Sequence, residues 1–175
     1  NARLPDGVSK VPAHRYVTVF SRLSWGGTAV LRLFSVFGPR LRKQIVYDLM
    51  GRLSDDPNSL IMRGSGREQR DFSYVDDVVE AILTVADRAP LAGEAYNIAS
   101  GEMVSTLKLA RLTASAMGIE PQLTFSGSVE AGDTPHWYAD TSRLLALGHE
   151  PRVSLADGLK RTWEWRKQSI DTSGP

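Results

Sequence analysis

The chain has 175 residues, 42% hydrophobic and 23% charged, enough for one compact domain with its own core or for a large part of a bigger one. A formal net charge of +1 excludes the broad positive field that draws proteins onto nucleic acid, so any bound anion must be held by local groups. Cysteine is absent, which excludes disulfides and thiolate metal sites, and His14, His136 and His149 lack ligand spacing, so no metal is expected.

No apolar run approaches the roughly 20 residues that cross a bilayer, and the first residues lack a signal-peptide core. The reading is a cytoplasmic protein with no membrane partner, and the Asn at position 1 reads as the start of a piece of something longer.

Along the chain, Pro5 to Leu23 predicts a helix, because Val8, Val11, Val19, Phe20 and Leu23 recur at helical spacing. Pro12 lacks the N–H owed to Val8 and predicts a kink or a late start. "TAVLRLFSVFG", Thr28 to Gly38, is an apolar run closed by Gly-Pro; it predicts one strand buried on both faces, inside which Arg32 needs a partner. Gln44 to Leu53 predicts a second helix, Asp56-Pro57-Asn58 a turn, and Leu60 to Met62 a short strand.

A third helix is expected from an N-cap at Asp76, with Val75, Val79, Ile82 and Ala86 on its inner face. Ala95 to Ser100 reads as another buried strand. Ser105 should cap a helix over Thr106 to Met117 that Gly118 stops, followed by a strand at Gln122 to Phe125. Asp140 should cap a short helix ended by Gly148, and Ser154 with Asp157 has capping-box spacing at the start of the last one. There Trp163 and Trp165 are two residues apart, so only one can face the core. Strands alternating with helices predict an α/β architecture with parallel crossovers.

Two local features point to chemistry. Ser9 and Lys10 sit near the start of the first helix, where a lysine beside a buried strand can reach a ribose and depress the pKa of a neighbouring acid; on its own the feature is weak and reads first as a solvated lysine. "GSGREQRDFSYVDDVVEAI" places Arg63, Arg67 and Arg70 just ahead of a helix and beside Asp71, Asp76 and Asp77. Guanidinium forks suit phosphate, whereas the plain alternative is a surface pairing of Arg70 with Asp71 or Asp77.

Taken in order, "GVSK…RYV", "VLRLFSVFGPR", "GSGREQRDFSYVDDVVEAI", "YNIASGEMVSTLKLA", "GD…HWYADTSR…LG" and "SLADGLKRTWEW" resemble the C-terminal part of an extended short-chain dehydrogenase/reductase, specifically the NAD-dependent nucleotide-sugar epimerase/dehydratase group. The resemblance covers essentially the whole chain. It implies the C-terminal part of a Rossmann-type parallel sheet with a small α/β substrate-binding domain. Residues 1–40 would be the last Rossmann elements and 41–175 mainly the substrate domain, with 71–100 returning to the sheet. The glycine-rich dinucleotide loop would lie before Asn1, and no G-x-x-G-x-x-G occurs in the sequence.

What the resemblance implies for residues follows its motifs. Lys10 matches the lysine that holds the nicotinamide ribose, and the acid/base tyrosine four residues earlier is replaced by Asp6, a carboxylate that is ionised at neutral pH and cannot donate a proton as a phenol does. Leu33 would offer backbone contacts to the cofactor, NAD, with NADP left open. Ser35 stands where many relatives place a phosphate-contacting Asn, and Arg63 where an aromatic side chain packs on the nucleobase. Arg70 matches the diphosphate clamp, with Asp71 and Asp76 holding the loop and capping the next helix.

Asp133 would accept a ribose or sugar hydroxyl, while Glu130 reverses the charge of a second phosphate-binding arginine, a repulsion that Arg63 or Arg67 would have to offset. His136, Trp137 and Tyr138 read as packing residues. The implied partners are a nucleoside-diphosphate sugar and a second copy of the chain through helix 5–23. Asp6, Pro12 and Glu130 favour the rival reading, a non-catalytic relative that keeps the fold to bind a nucleotide, a nucleotide sugar or a protein. A nucleic-acid module ranks last because of the balanced charge.

Overall fold

A computed structural model describes residues 5–23, 26–127 and 138–171. Helix α1 spans Pro5–Leu23. Pro5 suits a first helical position, where the missing N–H has no partner in any helix. Pro12 lies inside the assigned helix, so the late start is not found.

Strand β1 (Thr28–Leu33) runs parallel to β5 (Ala92–Ile98), with Leu31 opposite Tyr96. Phe34 N then donates to Ile98 O at 3.1 Å, and the chain changes partner: β2 (Ser35–Phe37) runs parallel to β4 (Gln69–Tyr74), which pairs antiparallel with β6 (Met103–Ser105). The single strand expected over Thr28 to Gly38 is therefore two strands with different neighbours. It is not buried on both faces either: no residue of β1 is fully buried, and Arg32 and Leu33 are exposed. Arg32 finds its partner in His14, whose Nδ1 lies 3.1 Å from Arg32 Nη2.

The rest of the molecule packs around these strands. Helix α2 (Gln44–Asp55) buries Val46, Leu49, Met50 and Leu53 against Phe37, Phe72 and Tyr74 from β2 and β4. Strand β3 (Ser59–Met62) pairs parallel with β7 (Gln122–Phe125), and helices α4 (Thr106–Met117) and α6 (Leu155–Asp171) close the same core through Leu109 and Leu159. Apolar burial at about 25 cal/mol per Å² makes this the main stabilising mass. Ser105 caps α4 by accepting from Lys108 N at 3.1 Å, and Gly118 ends it with φ 74. Ser154 accepts from Asp157 N at 3.1 Å and donates to its carboxylate at 2.7 Å, as the capping spacing implied. Trp163 packs on the core, and Trp165 is covered by Arg42.

Helix α3 (Val75–Arg88) starts earlier than expected; Val75 and Ile82 pack against the cores as expected, but Val79 and Ala86 are exposed and the fully buried residues lie one step round the helix. Val78, Ala81 and Val85 are buried with Tyr96, Ile98 and Leu144, the last from the short helix α5 (Ser142–Ala146), while Val79 remains 49% exposed. Asp76 is exposed and caps nothing. The buried carboxylate is Asp77, which accepts from Arg152 N at 3.0 Å and Val153 N at 3.1 Å. Asp140 accepts from Ser142 N at 3.0 Å ahead of α5.

Candidate functional site

The loop after β3 is shaped by one carboxylate. Gly64 and Gly66 have φ of +79 and +82, so the chain can coil back on Glu68, and a Cβ on Gly66 would sit 2.8 Å from the Phe125 ring. Glu68 accepts from Ser65 N at 2.8 Å, Ser65 Oγ at 2.9 Å, Gly66 N at 3.0 Å and Thr106 Oγ1 at 3.2 Å. These donors, the Ser65 N–H foremost, stabilise the charged form and hold its pKa down to about 2. Backbone bonds from Thr106 N to Glu68 O at 2.9 Å and from Gly127 N to Gly64 O at 2.9 Å tie the loop to α4 and to the end of β7.

Against this loop lies an open cleft of about 670 Å³. Ser35 from the start of β2, Arg63 from the loop and Arg70 from β4 line it, facing Gln44, Asp48 and Arg52 on α2. Arg70 is half-buried and its Nη1 donates to Gln69 O at 2.9 Å. Arg52 pairs with Asp48 at 3.6 Å and donates to Ile61 O. Among the described residues the cleft is lined by three guanidiniums and two carboxylates, Glu68 bonded within the loop and Asp48 paired with Arg52.

The surface pairing of Arg70 with Asp71 or Asp77 is absent. Asp71 is 2% exposed and accepts from Ser100 N, Ser100 Oγ and Gly101 N, each at 2.8 Å. It holds the loop after β5 and leaves Arg70 directed to the cleft side of β4.

Of the residues singled out in the sequence, Ser35, Arg63 and Arg70 come together, although Ser35 is remote in the chain from the other two. Arg67 is exposed and does not line the cleft. Lys10 is exposed on α1, and Leu33 is 50% exposed at the carboxyl end of β1; neither lines the cleft. Asp6 lies in the first turn of α1, but its side chain, like Glu130, Asp133, His136 and Trp137, lies outside the described residues. Tyr138 is 71% exposed and does not pack as expected. Sequence reading missed Arg52, whose helical position gave no signal, and Glu68, which the glycines at 64 and 66 could have flagged as the group a tight loop closes on. Among the described residues no cluster of three or more His, Asp or Glu could hold a metal, and no helix is long and apolar enough to cross a membrane.

The described residues thus form an α/β layer of mostly parallel strands with a guanidinium-lined cleft beside β2, β4 and the end of β3. The family model described as "NAD dependent epimerase/dehydratase family" matches residues 3–99, and the chain belongs to that family. It is 33% identical over 156 residues to a protein described as an uncharacterized UDP-glucose epimerase, YtcB, of Bacillus subtilis strain 168, an alignment covering 89% of this chain and 49% of the relative. It is 32% identical to dTDP-L-rhamnose 4-epimerase of Burkholderia thailandensis, covering 94% and 47%. The crystal structure of UDP-glucuronic acid 4-epimerase from Bacillus cereus, in complex with UDP-glucuronic acid and NAD, superposes with a TM-score of 0.82 at 28% identity, covering 93% of this chain and 52% of that one. The chain spans about half the length of the curated relatives it matches. The α/β fold expected from the sequence is thus the Rossmann-type epimerase fold.

Proposed function

We propose that this chain forms the substrate half of an NAD-dependent nucleotide-sugar epimerase or dehydratase, and that the cleft between α2 and the 62–70 loop binds the diphosphate of the nucleotide sugar. The observation that carries the reading is the convergence of Ser35, Arg63 and Arg70 on one cleft. Arg70 would grip phosphate oxygens bidentately, Ser35 would donate one hydrogen bond, and the Arg63 plane would stack on the base. Asp133 would accept a sugar or ribose hydroxyl, and Glu130 would oppose the phosphates. In this reading residues 1–40 and 71–100 belong to the Rossmann layer and most of 41–175 to the substrate domain.

The family's cofactor is a nicotinamide dinucleotide, which supplies reversible hydride acceptance from a sugar carbon. In this reading Lys10, an exposed residue of α1, would hold the nicotinamide ribose, and Leu33, half exposed at the end of β1, would contact the cofactor through its backbone. The sequence has no glycine-rich loop for the pyrophosphate, so the chain alone should show no turnover, and Asp6→Tyr should not restore any. The rival reading, a relative that binds without catalysis, is favoured by Asp6 at the tyrosine position and leaves the cleft's role unchanged. We further propose a cytoplasmic protein that self-associates through the apolar face of α1.

Calorimetry with uridine diphosphate tests the cleft. Arg70→Ala should weaken binding by about 1.5–3 kcal/mol, the range for charge-assisted hydrogen bonds. Equal affinity in the variant and the parent would remove Arg70 from the site.

A further inference from the structure

On the other side of the exposed stripe of α2, a second pocket of about 370 Å³ carries more positive charge than the cleft does. Arg42, Lys43, Arg52 and Arg166 line it with Asp48 and Asp55. Asp48 already pairs with Arg52, so among the described lining residues three cations face Asp55 alone. Such uncompensated charge costs self-repulsion unless an anion shares the site.

The arginines are held by rings rather than by carboxylates. The Arg166 guanidinium lies 4.1 Å from the Tyr47 ring centroid, with Nη1 3.4 Å from Tyr47 O, and it fits there because residue 51 is glycine: a Cβ at that position would come within 3.2 Å of Nη2. Arg42 lies over Trp165 at 5.8 Å. Stacking fixes the plane of a guanidinium while leaving its edge N–H groups to an incoming oxyanion, so little ordering entropy remains to be lost on binding. The Arg166 Nη1 bonds to Tyr47 O, while the buried Nε has no hydrogen-bond partner, so the protein satisfies the guanidinium only in part. The two helices that build the pocket, α2 and α6, meet here from opposite ends of the chain.

We infer that Arg42, Lys43 and Arg166 form a second anion site, separate from the sugar-nucleotide cleft, for a phosphate-bearing ligand. The phosphoryl group is the recognised chemistry, whether it arrives as free pyrophosphate or on a nucleotide. The pocket shares Gln44, Asp48 and Arg52 with the cleft, but its proposed anion ligands include neither Arg63 nor Arg70, so the two sites are separable by mutation.

The test is calorimetry of the full 175-residue chain with inorganic pyrophosphate at low salt, in an Arg70→Ala background that weakens the cleft. That chain should still bind one pyrophosphate. Adding Arg42→Ala with Lys43→Ala, both exposed positions, should weaken binding at least about tenfold at an unchanged melting temperature, the loss expected when charge-assisted bonds are removed. Arg166→Lys keeps the charge but loses the planar fork, and should weaken binding by a smaller factor. Repeating the titration with uridine diphosphate separates the sources: tighter binding than pyrophosphate assigns the site to a nucleotide, equal binding to free pyrophosphate, and either supports the site provided Arg42→Ala with Lys43→Ala removes it. If the Arg70→Ala chain binds no pyrophosphate, or binds it unchanged after loss of Arg42 and Lys43, the site is overturned while the cleft reading stands. If Arg70→Ala has no effect on uridine diphosphate binding and loss of Arg42 and Lys43 abolishes it, the cleft reading fails and this site survives.

Discussion

The loop from Met62 to Gln69 and the layer formed by α1 and β1 solve opposite problems. In the loop, the polar groups of Ser65, Gly66 and Glu68 are used within the protein: a carboxylate satisfies the turn it sits in, and backbone bonds lash it to α4 and β7. On α1, by contrast, Tyr16 is 72% and Leu23 81% exposed, with Val11, Val19 and Phe20 about half exposed between them, and β1 pairs with β5 alone among the described residues. The first region is finished by its own sequence and can present a fixed set of charges to a ligand. The second offers an apolar face and a strand edge, features that in soluble proteins mark contact surfaces.

The largest effect should come from breaking the support behind the cleft. Asp71→Ala empties a buried position and takes three charge-assisted bonds from Ser100 and Gly101, and should lower stability by about 3–5 kcal/mol, seen as a lower urea midpoint with an unchanged slope. On the other side of the comparison, Tyr16→Glu with Leu23→Glu should leave the fold intact but weaken self-association by about 3 kcal/mol, since each buried large side chain contributes about 1.5–3 kcal/mol; sedimentation across a concentration series reads this directly. A parent chain that is already monomeric at every concentration would end the claim that α1 is a contact surface.

Gly66→Ala should cost about 2–3 kcal/mol, because it imposes a left-handed residue and drives a methyl into Phe125. The smallest effect sharpens the comparison through pH. Glu68 has its folded pKa depressed from 4.5 to about 2, so its contribution is complete above about pH 4.5 and is lost as pH falls toward 2. Glu68→Gln should flatten that part of the stability–pH curve, whereas charge changes on α1 should not.

The sequence made different amounts of this legible for physical reasons. Ser105, Gly118 and the Ser154–Asp157 pair were readable because capping is local: donor and acceptor lie within four residues. Which of Asp76 and Asp77 is buried was not, because the choice rests on the Arg152 and Val153 amides, far along the chain. The split at Phe34 was equally hidden, since an apolar run does not show that its second half will change partners. At the cleft, resemblance picked out Ser35, Arg63 and Arg70, and residue chemistry explained why guanidiniums suit the task. Arg52 was beyond reach because its role depends on where α2 lies against β3.

The most direct test is an amide NMR titration of the labelled chain with uridine diphosphate. The cleft reading predicts saturable shifts at Ser35, Gly64, Gln69 and Arg70, with the α1 amides from Tyr16 to Leu23 unmoved. Saturable binding that leaves the 63–70 amides in place would contradict it.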